Sequence, residues 1–431
     1  MIPGRQLTQL PLAGHRAEEG LTGSALAESQ ELPPVSATIQ APNRPGGLLP
    51  ASRRHPDVPR PARAAVHALR HAAPALAAYA AVRLTGLAVL WLWAHAEGVS
   101  LFTQIASDWD ANWYLGIADH GYARELGTTY DSNNLAFFPL YPVLVKAVAA
   151  FTPGTRATVG LLLAMAFSFV AAWGVFAVGD RLYGRRVGVL LTVLWAAFPV
   201  SAVQWMGYTE SLFTAFVAWS LFAVLRGDWL WAGALAAVSG LTRPTGIALA
   251  AAVSLAALLS LRQRTGGRAI AGALLAPLGW LLYVGWVGLR LGRWDGYFAV
   301  QKLWHNELDG GAETLRFMRE LLIYDSTPEL FLVMVTAIMA AAVLLFLVCV
   351  KQRQPLPLLV FCGVLLVIVI GSAGVYFPRA RFLVPAFPLL LPLALYVAGL
   401  KRARAALYVA AAVIGSAYCN GYMLLVWPSA P

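Results

Sequence analysis

Charge is what this sequence lacks most. Asp, Glu, Lys and Arg supply only 12% of its 431 residues, against about 25% in ordinary soluble domains. Charge that sparse cannot clothe the surface of a 46.2 kDa globule in water, which excludes a conventional soluble enzyme. Cysteine is scarce too. Cys349, Cys362 and Cys419 lie in apolar stretches without metal-ligand spacing, which excludes a disulfide framework and reads as small buried hydrophobes. Lysine is nearly missing, with 4 Lys against 28 Arg. No internal repeat is visible, nor the short apolar core and small-residue cleavage site of a signal peptide. What is abundant is hydrophobicity, at 59% of residues with a mean hydropathy of +0.65, and the fold class that follows is an all-α, polytopic integral membrane protein.

The net charge of +11 would suit a nucleic-acid binder only if the basic residues formed a face or stripe. Here they punctuate apolar runs, so no nucleic-acid partner is expected. Residues 1–72 are rich in Pro, Ala, Arg and Glu without apolar periodicity, and read as a disordered cytoplasmic tail. From 73 to 428, spans of about 20 residues give about eleven transmembrane segments, centred near residues 85, 167, 196, 217, 235, 252, 280, 339, 365, 390 and 416. Putting the tail in the cytoplasm gathers there Arg181, Arg185, Arg186, Arg226, Arg262, Arg264, Arg268, Lys351, Arg353, Lys401, Arg402 and Arg404, as the positive-inside rule requires. Two long loops, 97–155 and 290–328, fall on the opposite, extracytoplasmic face. So do fourteen of the 21 acidic residues. Acidic residues contribute little to orientation, so their accumulation points to chemistry on that face.

The first loop carries the sharpest pattern, Ser107-Asp-Trp-Asp-Ala-Asn-Trp-Tyr-Leu-Gly-Ile-Ala-Asp-His-Gly-Tyr122. An isolated Asp before a helix-like run is an N-cap more often than a catalyst. Asp108 and Asp110 together, with Trp109, Trp113 and Tyr114 beside them, exceed what capping needs. Aromatic rings offer stacking faces for sugars and sit well at a membrane interface. A carboxylate at a helix start, tethered closely to a membrane span, is placed to take a proton from a hydroxyl.

Trp109-Asp110, Trp113-Tyr114-Leu115, Ile117-Ala118 and Gly121-Tyr122, followed by Phe137-Phe-Pro-Leu-Tyr-Pro142, resemble the signature of the PIG-V-type (GPI mannosyltransferase 2-like) family, a branch of the GT-C glycosyltransferases. Phe198-Pro-Val-Ser201, Tyr208-Thr-Glu-Ser-Leu-Phe213, Gly240-Leu-Thr-Arg-Pro-Thr-Gly246, Gln301-Lys302 with Trp304, and Arg381 continue the resemblance in order over about 75–400. It implies a GT-C-type bundle with catalysis in loop 97–155. It also implies mannose transfer from a polyprenyl-phosphate donor at the membrane to a glycan, lipid or protein acceptor, with room for an accessory membrane subunit. The bias to Arg and Ala suggests a bacterial cytoplasmic membrane.

Such chemistry needs a base and cations. Asp110, with Asp108 the alternative, is the expected base in a single inverting displacement. Glu210, Arg243, Lys302, His305, Arg379 and Arg381, with Trp109, Trp113, Tyr114 and His120, are the expected substrate-binding set. Arg243 has two readings, a phosphate ligand or the partner of Glu210. Arg379 and Arg381 are interface snorkellers or phosphate ligands. Arg83, deep in the first span, must face other helices. The segment 137–151 is short for a span, so it reads as an interfacial or re-entrant piece, or else as a tilted extra helix. No cofactor is expected, and Asp108-x-Asp110 is the one pair suited to a divalent ion. The rival class is a membrane transporter or flippase, using Glu210, Arg243 and Arg83 as a pathway.

Overall fold

The computed structural model describes residues 61–128, 133–261 and 266–430. Residues 1–60 of the expected tail, and Arg262 and Arg264, lie outside that set. Among the described residues the regular elements are helical, apart from one isolated bridge between Leu308 and Ser372. Helix α1 (Pro61–Ala96) starts well before the expected residue 73. The reason is local: residues 61–72 are rich in Ala and Arg, strong helix formers, and Pro61 takes the first helical position, where its missing N–H costs nothing.

The first long loop holds α2 (Leu101–Ala106), α3 (Asp110–His120) and α4 (Leu140–Ala149). Then come α5 (Arg156–Tyr183), α6 (Arg185–Ala196), α7 (Glu210–Arg226), α8 (Trp229–Ser239), α9 (Gly246–Ser260), α10 (Gly267–Leu275) and α11 (Leu278–Leu291). The second loop holds α12 (Gly296–Leu303) and α13 (Ala312–Arg319). The chain closes with α14 (Leu330–Lys351), α15 (Leu356–Gly371), the short α16 (Arg379–Phe382), α17 (Leu391–Gly399) and α18 (Arg402–Leu425).

The expected segment centres all fall on or next to helices, but the helices differ in kind. Five stretches, Val66–Ala96, Arg156–Tyr183, Gly267–Leu291, Leu330–Lys351 and Arg402–Leu425, are long and apolar enough to cross a bilayer. Others, including α6, α7, α8, α9, α15 and α17, have 17 residues or fewer. Pro199, Pro244, Pro378, Pro385 and Pro388 stand in the interruptions between helices. Proline removes a donor and clashes with the preceding turn, and broken backbone survives at membrane depth where protein surrounds it. Large apolar side chains such as Trp91, Leu282 and Leu344 are exposed on α1, α11 and α14, as suits a surface facing lipid rather than water.

The core is centred on α5, α6 and α7, whose inward residues include Ala172, Val175, Leu191, Trp195, Phe213 and Leu221. Helices α5 and α6 form a tight hairpin through Gly184, whose φ of +84° suits glycine. Above that turn a Cβ on Gly188 would lie 2.8 Å from the Phe176 carbonyl, so the two backbones meet through hydrogen alone. Arg83 does face inward. Its Nη1 donates to Ser201 Oγ at 2.7 Å and to the Ala196 carbonyl at 3.4 Å, and the guanidinium lies 5.6 Å from the Trp205 ring centre.

Contacts among helix ends agree with the positive-inside grouping. His71 meets Asp180 at 3.0 Å, Tyr183 donates to Gln354 at 2.7 Å, and Arg186 donates to the Leu400 carbonyl at 3.0 Å. The two long loops gather at the other ends of these helices. Asn134 there accepts from the Ala123 N–H and donates to the Gly121 carbonyl, each at 2.9 Å. Tyr283 of α11 donates to the carbonyls of Leu135 at 3.0 Å and Phe137 at 2.7 Å. The Leu140 N–H donates to the Leu241 carbonyl at 2.9 Å, tying the start of α4 to the turn before α9.

Candidate active site

Four charged side chains converge where α3, α7, the turn before α9, and α16 meet. Asp110 opens α3 and accepts from Arg381 Nη2 through Oδ2 at 2.7 Å. Glu210 opens α7, and its Oε1 lies 2.5 Å from Arg243 Nη1 and 3.9 Å from Arg381 Nε. The row Asp110–Arg381–Glu210–Arg243 alternates in sign. Arg243, Arg381 and Glu210 are buried, while the Asp110 side chain keeps 21% exposure, enough to face a ligand.

Aromatic residues brace the guanidinium groups. Arg381 lies 5.1 Å from the ring centre of Tyr208 and 5.3 Å from that of Phe382, and Arg243 lies 5.2 Å from the same Phe382 ring centre. Thr209 accepts from Arg243 Nη1 at 3.1 Å and pairs with the Tyr114 hydroxyl at 3.2 Å. Burial by itself disfavours the charge on Arg381, but Asp110 and Glu210 outweigh it and raise its pKa further, so the guanidinium stays protonated. Desolvation pushes the Asp108 carboxyl up from its ordinary range.

Beside this row lies a cavity of about 250 Å³ walled by Asp110, Tyr114, Phe137, Arg243, Gln301, Trp304, Asn306 and Arg381. Larger hollows of about 720 and 400 Å³ are mostly apolar and carry neither carboxylate nor guanidinium. A further hollow of about 420 Å³ is walled by Glu313 and Arg379, whereas the cavity beside the row brings one carboxylate and two guanidinium groups, Asp110, Arg243 and Arg381, to a single wall. The expected set divides on this basis. Asp110, Tyr114, Arg243 and Arg381 line the cavity, and Glu210 stands directly behind it. Trp113 is one layer out, stacked on Phe137 at 5.4 Å and edge-on to Trp304 at 5.2 Å.

The others lie apart. Asp108 and the exposed Trp109 are off the cavity wall, although Trp109 has a φ of +55°, uncommon for a bulky residue, at the turn that sets the direction of Asp110. His120 is exposed at the far end of α3, beside Asp119, which pairs with Arg156. Lys302 points outward to Glu307 at 3.0 Å, and His305 is exposed with a φ of +57°. Residues on the inward side of the same turn, Gln301, Trp304 and Asn306, reach the cavity instead. Arg379 is buried in a different hollow, donating to Thr314 and to the carbonyls of Val375, Ser372 and Gly374. Burial lowers its pKa, and its donors hold the turn before α16. Within α12 the helical period turns Gln301 and Lys302 different ways, and outside the helices the positive φ at Trp109 and His305 redirects the chain next to Asp110 and Asn306.

Tyr208, Thr209 and Asn306 join the site without having been expected there. Tyr208 and Thr209 had a signal, two polar groups directly before Glu210 in an apolar stretch; Asn306 had none. Segment 137–151 includes α4, only 10 residues long, with Tyr141, Pro142 and Val145 buried against the bundle and Lys146 exposed. Its Tyr141 hydroxyl donates to the Gly160 carbonyl at 2.8 Å near the start of α5.

No family model matches the chain. Over 168 residues it is 33% identical to the mouse GPI alpha-1,6-mannosyltransferase 2, a match covering 36% of this chain and 30% of the mouse protein. The oligosaccharyltransferase of Archaeoglobus fulgidus, solved with a tethered acceptor peptide, aligns with a TM-score of 0.43 and 14% identity over 80% of this chain and 56% of that one. In its ordered motifs, and in the partial match to the mouse enzyme, the chain is similar to the PIG-V-type mannosyltransferases.

Proposed function

We propose that this protein is an integral membrane glycosyltransferase that moves mannose from a polyprenyl-phosphate donor to an acceptor hydroxyl on the extracytoplasmic face. The observation carrying this reading is the meeting of Asp110, Arg243 and Arg381 in the wall of one small cavity. At about 250 Å³ the cavity is below the usual 300–1,000 Å³ of ligand sites. That size suits a sugar and its phosphate, with the polyprenyl chain left in the bilayer.

The reaction is a single inverting displacement. Asp110 takes the proton of the acceptor hydroxyl as its oxygen bonds to the anomeric carbon, and the bond from that carbon to the phosphate oxygen breaks on the opposite side. The electron pair leaves with the phosphate, whose growing charge Arg381 and Arg243 offset in a site with little water. Trp304, Phe137 and Tyr114 offer ring faces to the sugar. Glu210 keeps Arg243 in position.

The test is reconstitution in liposomes with labelled polyprenyl-phosphate mannose and a crude extracytoplasmic acceptor fraction. Transfer of label is expected, and Asp110→Asn should slow it by about 10²–10⁴-fold, the usual worth of a general base. Movement of label across the bilayer without transfer would replace this reading with a transporter.

A further inference from the structure

We infer that Arg381 is shared between Asp110 and the donor phosphate, so that seating the donor loosens the ion pair and makes Asp110 a stronger base. The inference rests on the donor class proposed above. Its physical basis is an imbalance in how the two arginines are satisfied. Arg243 Nη1 forms an ion pair with Glu210, at 2.5 Å, and donates a hydrogen bond to Thr209, at 3.1 Å. Arg381 commits Nη2 to Asp110 at 2.7 Å, while its buried Nε, 3.9 Å from Glu210, and its buried Nη1 have no hydrogen-bond partner among the described residues. Idle donors on a buried guanidinium are costly, and the planar fork of arginine matches the oxygens of a phosphate. Arg381 is only 5% exposed and belongs to the wall of the cavity, where its Nη2 meets Asp110.

Charge balance gives the consequence. Asp110, Glu210, Arg243 and Arg381 sum to zero formal charge. A polyprenyl-phosphate sugar is a phosphodiester and brings one negative charge into this poorly hydrated cluster. It competes with Asp110 for the same cation, and each anion is then held less tightly. The least costly relief is for Asp110 to take up one proton, and the acceptor hydroxyl supplies that proton when its oxygen attacks the anomeric carbon. The bond to phosphate breaks, the phosphate gains a second negative charge, and Arg381 faces it. Once polyprenyl phosphate leaves, Asp110 returns the proton to water and the ion pair re-forms. Without donor, Arg381 keeps the base quenched.

The experiment measures binding of polyprenyl phosphate, the product lipid, to the full-length protein in nanodiscs, with each variant matched to the parent by thermal melting. If one guanidinium is shared, Asp110→Asn tightens binding by roughly five- to tenfold, a typical coupling between sites. Asp108→Asn, which removes a charge two residues away and off the cavity, changes it less than about twofold by the same measure. Adding Arg381→Gln to Asp110→Asn abolishes the gain. Should Asp110→Asn fold poorly, Asp110→Ser removes the same charge. No tightening in a folded Asp110 variant, or a gain that survives Arg381→Gln, overturns the inference while leaving the donor class intact. A parent protein that fails to bind polyprenyl phosphate overturns both.

Discussion

At the scale of single residues, the site is built from charges that the interior tolerates only in pairs. Glu210 and Arg243 are both buried, and each is the nearest counter-charge of the other at 2.5 Å. Removing one partner strands the other in a poorly solvated place, which costs far more than the pair itself contributes. Glu210→Gln is therefore expected to destabilise the protein by about 3–5 kcal/mol, read as a lower melting temperature in detergent. Glu210→Gln with Arg243→Met should regain much of that loss, because no orphaned charge remains. A double variant less stable than Glu210→Gln alone would show that Arg243 holds the fold through Thr209 and Phe382 rather than through its charge pair. The sequence marked both residues and left two readings open for Arg243. Its distance to Glu210 makes the pairing a fact, and its place on the cavity wall leaves phosphate contact available as well.

Elements set the precision with which those residues meet. Helix α7 can present Glu210 toward Arg243 and Arg381 because α5 packs along it and α6 packs in turn on α5. The backbones of α5 and α6 come close at Gly179 and Gly188, and any side chain on Gly188 would meet the Phe176 carbonyl. Gly188→Ala should cost about 1–3 kcal/mol through overpacking, measured by thermal melting, and should lower transfer by disturbing α7. Gly285, exposed in α11 with nothing within 4 Å of an added Cβ, is the control. Gly285→Ala should be neutral or stabilise by about 0.5–1 kcal/mol, since only helix propensity changes there. Equal losses at the two positions would mean that close packing at α5–α6 is not what supports the site. The apolar runs announced these helices, but their lengths were not legible. A run of apolar residues fits a full span and a shorter, protein-buried helix equally well, and burial separates the two cases.

For the whole molecule, the arrangement to be tested is the separation of a basic face from an acidic, aromatic one. Thr152, exposed between α4 and α5, lies on the side of the site loops, whereas Lys401, exposed before α18, lies on the face where Arg186 reaches Leu400. In intact cells, a cysteine at Thr152 is expected to react with a membrane-impermeant maleimide, and one at Lys401 only after permeabilisation. Cys349 and Cys362 are buried and Cys419 partly so, so the background should be low. The reverse pattern would move the site to the cytoplasm and remove the proposed function. The expected sidedness comes from charge asymmetry, because the counts of Arg and Lys in short loops act on orientation whatever the helices pack against.

Composition, hydropathy and loop charge by themselves determined that the chain is helical, multi-pass and embedded in lipid, and the order of its aromatic and acidic motifs determined which relatives it resembles. Those features are local or additive, so they need no knowledge of who touches whom. Which charges share a cavity was decided only in three dimensions. Asp110 and Arg381 stand 271 positions apart in the chain yet 2.7 Å apart in space, while Asp108, Lys302 and His305, close to cavity residues in sequence, turn elsewhere. The physical reason is that helix rotation and packing aim a side chain, and neither is fixed by residue type alone.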